Sequence, residues 1–85
     1  MSHHPTNFQG DILQALKQSI EDGIPDCQAT VSGGGGHFSI EVVSPAFEGK
    51  NMLESQRMVY KTITHLMAGD LAPVHAVDSL KTRTS

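Results

Sequence analysis

Between His37 and Val77 the hydrophobic period of the chain changes twice, and this limits its folding choices more than any other feature. In HFSIEVV, Phe38, Ile40 and Val42 alternate with His37, Ser39, Glu41 and Val43, the period of a strand with one buried face. From Asn51 to about Ala68 the period becomes 3.6. Met52, Val59, Ile63, Leu66 and Met67 then share one arc, with Lys50, Glu54, Arg57, Lys61 and His65 opposite. PVHAVDSL reads as a short strand again, with Val74, Ala76 and Ser79 on one pattern and His75 and Val77 on the other. Two strands joined by a helix are expected to lie parallel, connected by a right-handed crossover.

The residues before this unit add a helix and a strand. Phe8, Ile12, Leu13, Leu16 and Ile20 form one apolar stripe, which predicts a helix over about residues 6–22. Thr6 with Gln9 is a candidate capping box. Gly23 is a candidate left-handed C-terminal cap, and Pro25 forbids continuation. CQATVS is a strand, joined to the next by the glycines at 33–36 as an antiparallel hairpin, and SPAFEG is a turn in which Pro45 ends the strand. The order is helix, strand, strand, helix, strand. That is an α+β fold with both helices packed on one face of a three-stranded mixed sheet.

Eighty-five residues leave room for one domain, placed at 6–80, with flexible tails expected at 1–5 and 81–85. A chain this short buries only about 60% of its unfolded surface, so its core is small. Its composition, 38% apolar and 18% charged, is that of a soluble globular protein. No apolar run approaches the roughly 18 residues of a membrane span, so no membrane partner is expected. The lone Cys27 excludes an internal disulfide and a cysteine-only metal cage, and a reducing cytoplasm is the default. The net charge of −3 argues against a dedicated nucleic-acid binder. His3 and His4 belong to the terminal tail rather than to a metal site.

Parallel strands begin at the same edge of a sheet, so His37 and His75 are expected at one end. Adjacent strands lie about 4.8 Å apart and next-nearest strands about twice that, and either spacing lets two imidazoles serve one metal. The alternative is one surface histidine and one satisfied by a backbone carbonyl. Cys27 begins the first strand, about 16 Å from His37 at 3.3 Å per residue, and reads as a core or edge residue. No nucleophile elbow, HExxH or paired-carboxylate motif is present, so an enzyme is the least favoured reading. The glycine run is not a phosphate loop, because it lacks the lysine–hydroxyl ending and opens a strand.

With these elements placed, the chain resembles the BolA family from about Ile12 to Thr82. The carrying stretches are SGGGGHF, VVSPAFEGKNMLESQRMVYKTI and PVHAV, above all the Phe47-Glu48-Gly49 turn and the late His75. The resemblance is closest to bacterial members with a histidine in the glycine-rich loop. It implies a fold similar to class II KH domains, described as containing a helix-turn-helix. It implies partnership with a monothiol glutaredoxin and a shared [2Fe–2S] cluster, absent in the isolated chain. His75 matches the family's late ligand and His37 its loop ligand, with the glutaredoxin cysteine and glutathione on the other iron. Histidines on one iron raise the potential relative to thiolates, as in Rieske centres. On this reading Gly34, Gly35 and Gly36 form a side-chain-free loop that a partner and its cluster can approach closely.

Two features depart from the family pattern. Many relatives carry Arg-His-Arg where this chain has Ser55-Gln56-Arg57, and the sequence stops at Ser85, so a further C-terminal helix is expected to be short or missing. The leading expectation is a non-enzymatic glutaredoxin partner in iron–sulfur trafficking or iron sensing, alone a monomer or weak homodimer. The alternative is a nucleic-acid-binding transcriptional regulator using Lys50, Arg57 and Lys61. Three cations neutralise about three phosphates, which supports only weak, salt-sensitive DNA binding.

Overall fold

The first helix, α1 (Ile12–Gly23), starts where Asp11 folds its carboxylate over the chain and accepts from Leu13 N at 3.0 Å and Gln14 N at 3.3 Å. The computed structural model describes residues 11–69 and 72–84. Asp11 is extended (φ −86°, ψ 107°) and is the N-cap of α1, so the helix expected over about residues 6–22 does not run unbroken through residue 11. The Thr6–Gln9 pair, Phe8, and His3 and His4 of the expected N-terminal tail lie outside the described residues.

Strand β1 (Gln28–Gly34) pairs antiparallel with β2 (His37–Val43), from Gln28 opposite Val43 to Gly34 opposite His37. Ser44 caps a 3-10 turn, Pro45–Phe47, and its hydroxyl donates to Pro25 O at 2.7 Å. Helix α2 (Met52–Met67) opens on a capping box, in which Asn51 Oδ1 accepts from Glu54 N at 2.8 Å and Glu54 Oε1 from Asn51 N at 3.0 Å. Strand β3 (Ala76–Arg83) then lies parallel to β2, completing a sheet of order β1-β2-β3. The α+β architecture with a parallel crossover is as the periodicity implied.

The alternating face of β2, Phe38, Ile40 and Val42, is at most 2% exposed. Leu16 and Ile20 of α1, Val59, Ile63 and Leu66 of α2, and Phe47 pack into the same core. Met52, assigned to the apolar arc, is instead 73% exposed, and the small Ser55 takes the inward position of the first turn at 3%. The strand expected at 73–80 is also shifted. It begins at Ala76 and runs through Arg83, so Lys81, Thr82 and Arg83 are paired strand, not tail. Its alternation is interrupted because Asp78 has no partner: Phe38 faces Val77, Ser39 faces Ser79 and Ile40 faces Leu80. That bulge puts Val77 and Leu80, three residues apart, on the core side.

Both outer strands receive side chains from the helices. Lys17 Nζ donates to Ala29 O at 3.0 Å and to Glu21 Oε2 at 2.6 Å, and that same carboxylate oxygen accepts from Ala29 N at 3.2 Å. The β1 backbone at Ala29 is thereby satisfied by an ion pair instead of a fourth strand. On β3, Gln56 Nε2 donates to Leu80 O at 3.1 Å.

Gly23 is not the left-handed cap that its position suggested; Ile24 caps the helix in an extended conformation. Glycine is needed there because a Cβ would stand 2.5 Å from Thr62 Cγ2, across the α1–α2 contact. Thr62 cannot simply turn away, since its hydroxyl donates to Val59 O at 2.6 Å. Gly23→Ala is therefore expected to lower stability by about 1 kcal/mol, crowding outweighing the gain in helix propensity. Thr62→Ser removes the offending methyl and should erase most of that loss, read as coupling in a urea-unfolding double-mutant cycle.

The Lys17 ammonium, and then the Ala29 N–H, hold the Glu21 carboxyl below its ordinary pKa. A depressed carboxylate stabilises the fold above its unfolded pKa of about 4.3 and loses that contribution as pH falls through the lower folded value. Glu21→Gln should therefore be less stable than the wild type at pH 7, with the difference closing on acidification below about pH 4. Urea midpoints across that range check it.

Candidate functional site

The hairpin between β1 and β2 turns on two residues, Gly35 (φ 64°) and Gly36 (φ 86°), the paired left-handed backbone of a type I′ turn. Gly33 and Gly34 are not loop but the last residues of β1. Conformation and internal packing account for three of the four glycines. Gly33 has φ 119°, and a Cβ there would collide with the His37 carbonyl oxygen. At Gly36 a Cβ would run into the His75 imidazole at Cδ2. Only Gly34 has neither a left-handed backbone nor a neighbour within 4 Å of a built Cβ.

His37 follows this turn directly and is exposed. His75 is brought beside it from 38 residues away by one carbonyl. Gly36 O accepts from His75 N at 2.8 Å and from Ala76 N at 3.0 Å, and Ala76 is the register partner of His37. Val74 N donates to Leu66 O at 3.1 Å, fixing the approach from the end of α2. The expected co-location of His37 and His75 at one end of the sheet is therefore observed, and His75 is exposed too. Its imidazole lies against the bare Cα of Gly36, a seat that any side chain at position 36 would fill.

A residue that the periodicity did not reveal also reaches this end. Asp78 Oδ1 lies 3.2 Å from His37 Nδ1, with side chains 58% and 59% exposed. No group of three or more His, Cys, Asp and Glu among the described residues is arranged to hold a metal ion. Cys27 is remote, as expected, since it precedes Gln28 at the Val43 end of the hairpin. Its thiol donates to Ile20 O at 3.6 Å, and burial pushes its pKa up, which suits a structural thiol and not a ligand.

Lys50 stands apart from the histidines. Lys50, Arg57 and Lys61 are exposed, but Lys50 lies at the far end, beside a pocket of ≈ 200 Å³ lined also by Phe47, Met52, Ser55 and Arg83. Arg83 pairs with Val43, the last residue of β2, and its guanidinium contacts Glu41 at 3.2 Å. The glycine turn and Lys50 thus lie at opposite ends of the sheet.

A family model described as BolA-like protein matches residues 6–85. The chain is 33% identical over 64 residues to an uncharacterized protein in the rpoN-murA intergenic region of Acinetobacter guillouiae, covering 75% of each. Its fold is similar to that of a bolA protein homologue from Coxiella burnetii, with TM-score 0.70, 38% identity and coverage of 84% of this chain and 87% of that one. BolA1 from Mus musculus matches with TM-score 0.68 and 28% identity, over 99% of this chain and 75% of that one.

Gly36→Ala combines a left-handed alanine with displacement of His75, and is expected to cost about 1–2 kcal/mol. It should move the His75 ring resonances in NMR spectra of the folded protein. Gly34→Ala, with open space at its Cβ, should leave both stability (within about 0.5 kcal/mol) and those resonances unchanged.

Proposed function

The chain belongs to the BolA family, and from that membership we propose that it is a non-enzymatic partner of a monothiol glutaredoxin. In this role it contributes His37 and His75 to a [2Fe–2S] cluster shared with the glutaredoxin and glutathione, in iron–sulfur trafficking or iron sensing. The observation that carries the reading is the meeting of two exposed histidines at the glycine-turn end of the sheet, tied there by the Gly36 carbonyl.

The residues present fit such a group. Imidazole nitrogen is a suitable ligand for cluster iron, as in Rieske centres, where two histidines serve one of the two irons. When bound, the cluster supplies the iron and its redox chemistry; the chain supplies two nitrogens. Two nitrogens would serve one of the cluster's two irons and leave the other without protein ligands, which supports a site completed by a second protein and not a resident one. The glycine turn adds no side chain around His37, and the bare Gly36 leaves room for His75 on its own side. The exposed α2 cations support no more than weak, salt-dependent contact with nucleic acid.

The test mixes the chain with a monothiol glutaredoxin, iron, sulfide and glutathione and follows visible circular dichroism. The isolated chain should hold no stable cluster, and the mixture should. His75→Ala should abolish the heterocomplex spectrum, and His37→Ala should loosen or alter it. His37→Cys should restore a cluster with a more thiolate-like spectrum. Unchanged spectra and lifetimes in both alanine variants would remove the histidines as ligands. Submicromolar, sequence-dependent duplex binding at physiological salt would put a nucleic-acid role first.

A further inference from the structure

The register of β2 with β3 runs from His37 opposite Ala76 to Phe38 opposite Val77, skips Asp78, and resumes with Ser39 opposite Ser79. Bulges are rare in parallel pairs, are over-represented next to active sites, and re-aim side chains. Here the extra residue is the one whose carboxylate meets His37 Nδ1 at 3.2 Å. We propose that Asp78 is the positioning residue of His37: it keeps the ring proton on Nδ1 and so presents Nε2 to an incoming metal ion. This inference rests on the reading of His37 as a cluster ligand and deepens it.

The chemistry is a matter of donors and acceptors. An ionised carboxylate only accepts, so the hydrogen in this contact is on the imidazole. A neutral imidazole has one N–H, which leaves the lone pair on Nε2. A carboxylate on the non-ligating nitrogen fixes ring orientation and raises ligand basicity, the usual support of metal-binding histidines. The energy of the contact argues for the same role. With side chains 59% and 58% exposed, the pair adds little to folding stability, so its effect falls on the direction and tautomer of the ring. His75 is held by a different device, its ring set against Gly36. The two ligands are therefore separable by mutation.

The experiment records long-range proton–nitrogen correlations of the full chain labelled with nitrogen-15, at mildly alkaline pH. In the wild type His37 should be the Nδ1-protonated tautomer. Asp78→Ala should shift it toward Nε2–H, and Asp78→Asn, whose amide oxygen still accepts, should retain much of the Nδ1–H form. His75 should be unaffected in all three. An Nδ1–H population equal in wild type and Asp78→Ala overturns the proposal. In the reconstituted mixture with glutaredoxin, Asp78→Ala should shorten cluster lifetime about tenfold, with Asp78→Asn intermediate. A tautomer switch with an unchanged cluster lifetime keeps the hold of Asp78 on the ring but overturns its part in metal binding, whereas the ligand reading stands or falls on His37→Ala, so the two readings fail separately.

Discussion

Phe38, Ile40 and Val42 hold the molecule together because they are the inward face of β2, the strand paired on both sides. Each is nearly free of water, and each residue between them points outward. A strand buried on one face cannot slip by one residue without exposing its entire apolar set. The register of β2 is thus fixed by burial, and the partners on either side take their positions from it. Helices α1 and α2 cover that face with Leu16, Ile20, Val59, Ile63 and Leu66, and Gly23 lets them approach closely at Thr62. The end of β2 that carries His37 is positioned by hydrophobic packing that begins at the very next residue, Phe38.

The two ends of the sheet are finished differently. At the Val43 end, Ser44, the Pro45–Phe47 turn and the capped start of α2 satisfy the backbone with local hydrogen bonds. At the His37 end the backbone turns through left-handed glycines and then hooks β3 by a carbonyl. Along the sides, Lys17 with Glu21 and Gln56 occupy backbone groups of the outer strands. Edge groups used in this way are poor templates for strand addition. The glycine turn is where backbone and two imidazoles remain open together.

Much of this was legible in the residues. The alternation of Phe38, Ile40 and Val42 and the 3.6 period through Val59, Ile63 and Leu66 predict the strand, the helix and the parallel crossover, and with them the meeting of His37 and His75. What failed did so where a local pattern met a tertiary contact. Gly23 looks like a helix cap because glycine after a helical stripe usually is one, yet here it serves a helix–helix approach. Met52 fits the apolar arc, but in the first turn of α2 it overhangs the core, and Ser55 fits underneath. Lys81, Thr82 and Arg83 have little to bury, so a pattern reading ends β3 too early. They are held by pairing to Glu41, Val42 and Val43. Asp78 is hidden for a related reason: a bulge is a property of two strands, and no single-strand periodicity contains it.

The separation of the two histidines along the chain has a temporal meaning during synthesis. The hairpin of β1 and β2 depends on nearby residues and can form as soon as Val43 is available, with His37 already beside its turn. His75 joins only after α2 has been made, crossed over and delivered the chain to the Gly36 carbonyl. Parallel pairing across a helix closes a long loop, which makes it a late event in folding. The pair at this end therefore exists only where β3 has docked on β2. The paired imidazoles are in that sense a mark of maturity, displayed only by a molecule whose last strand has docked.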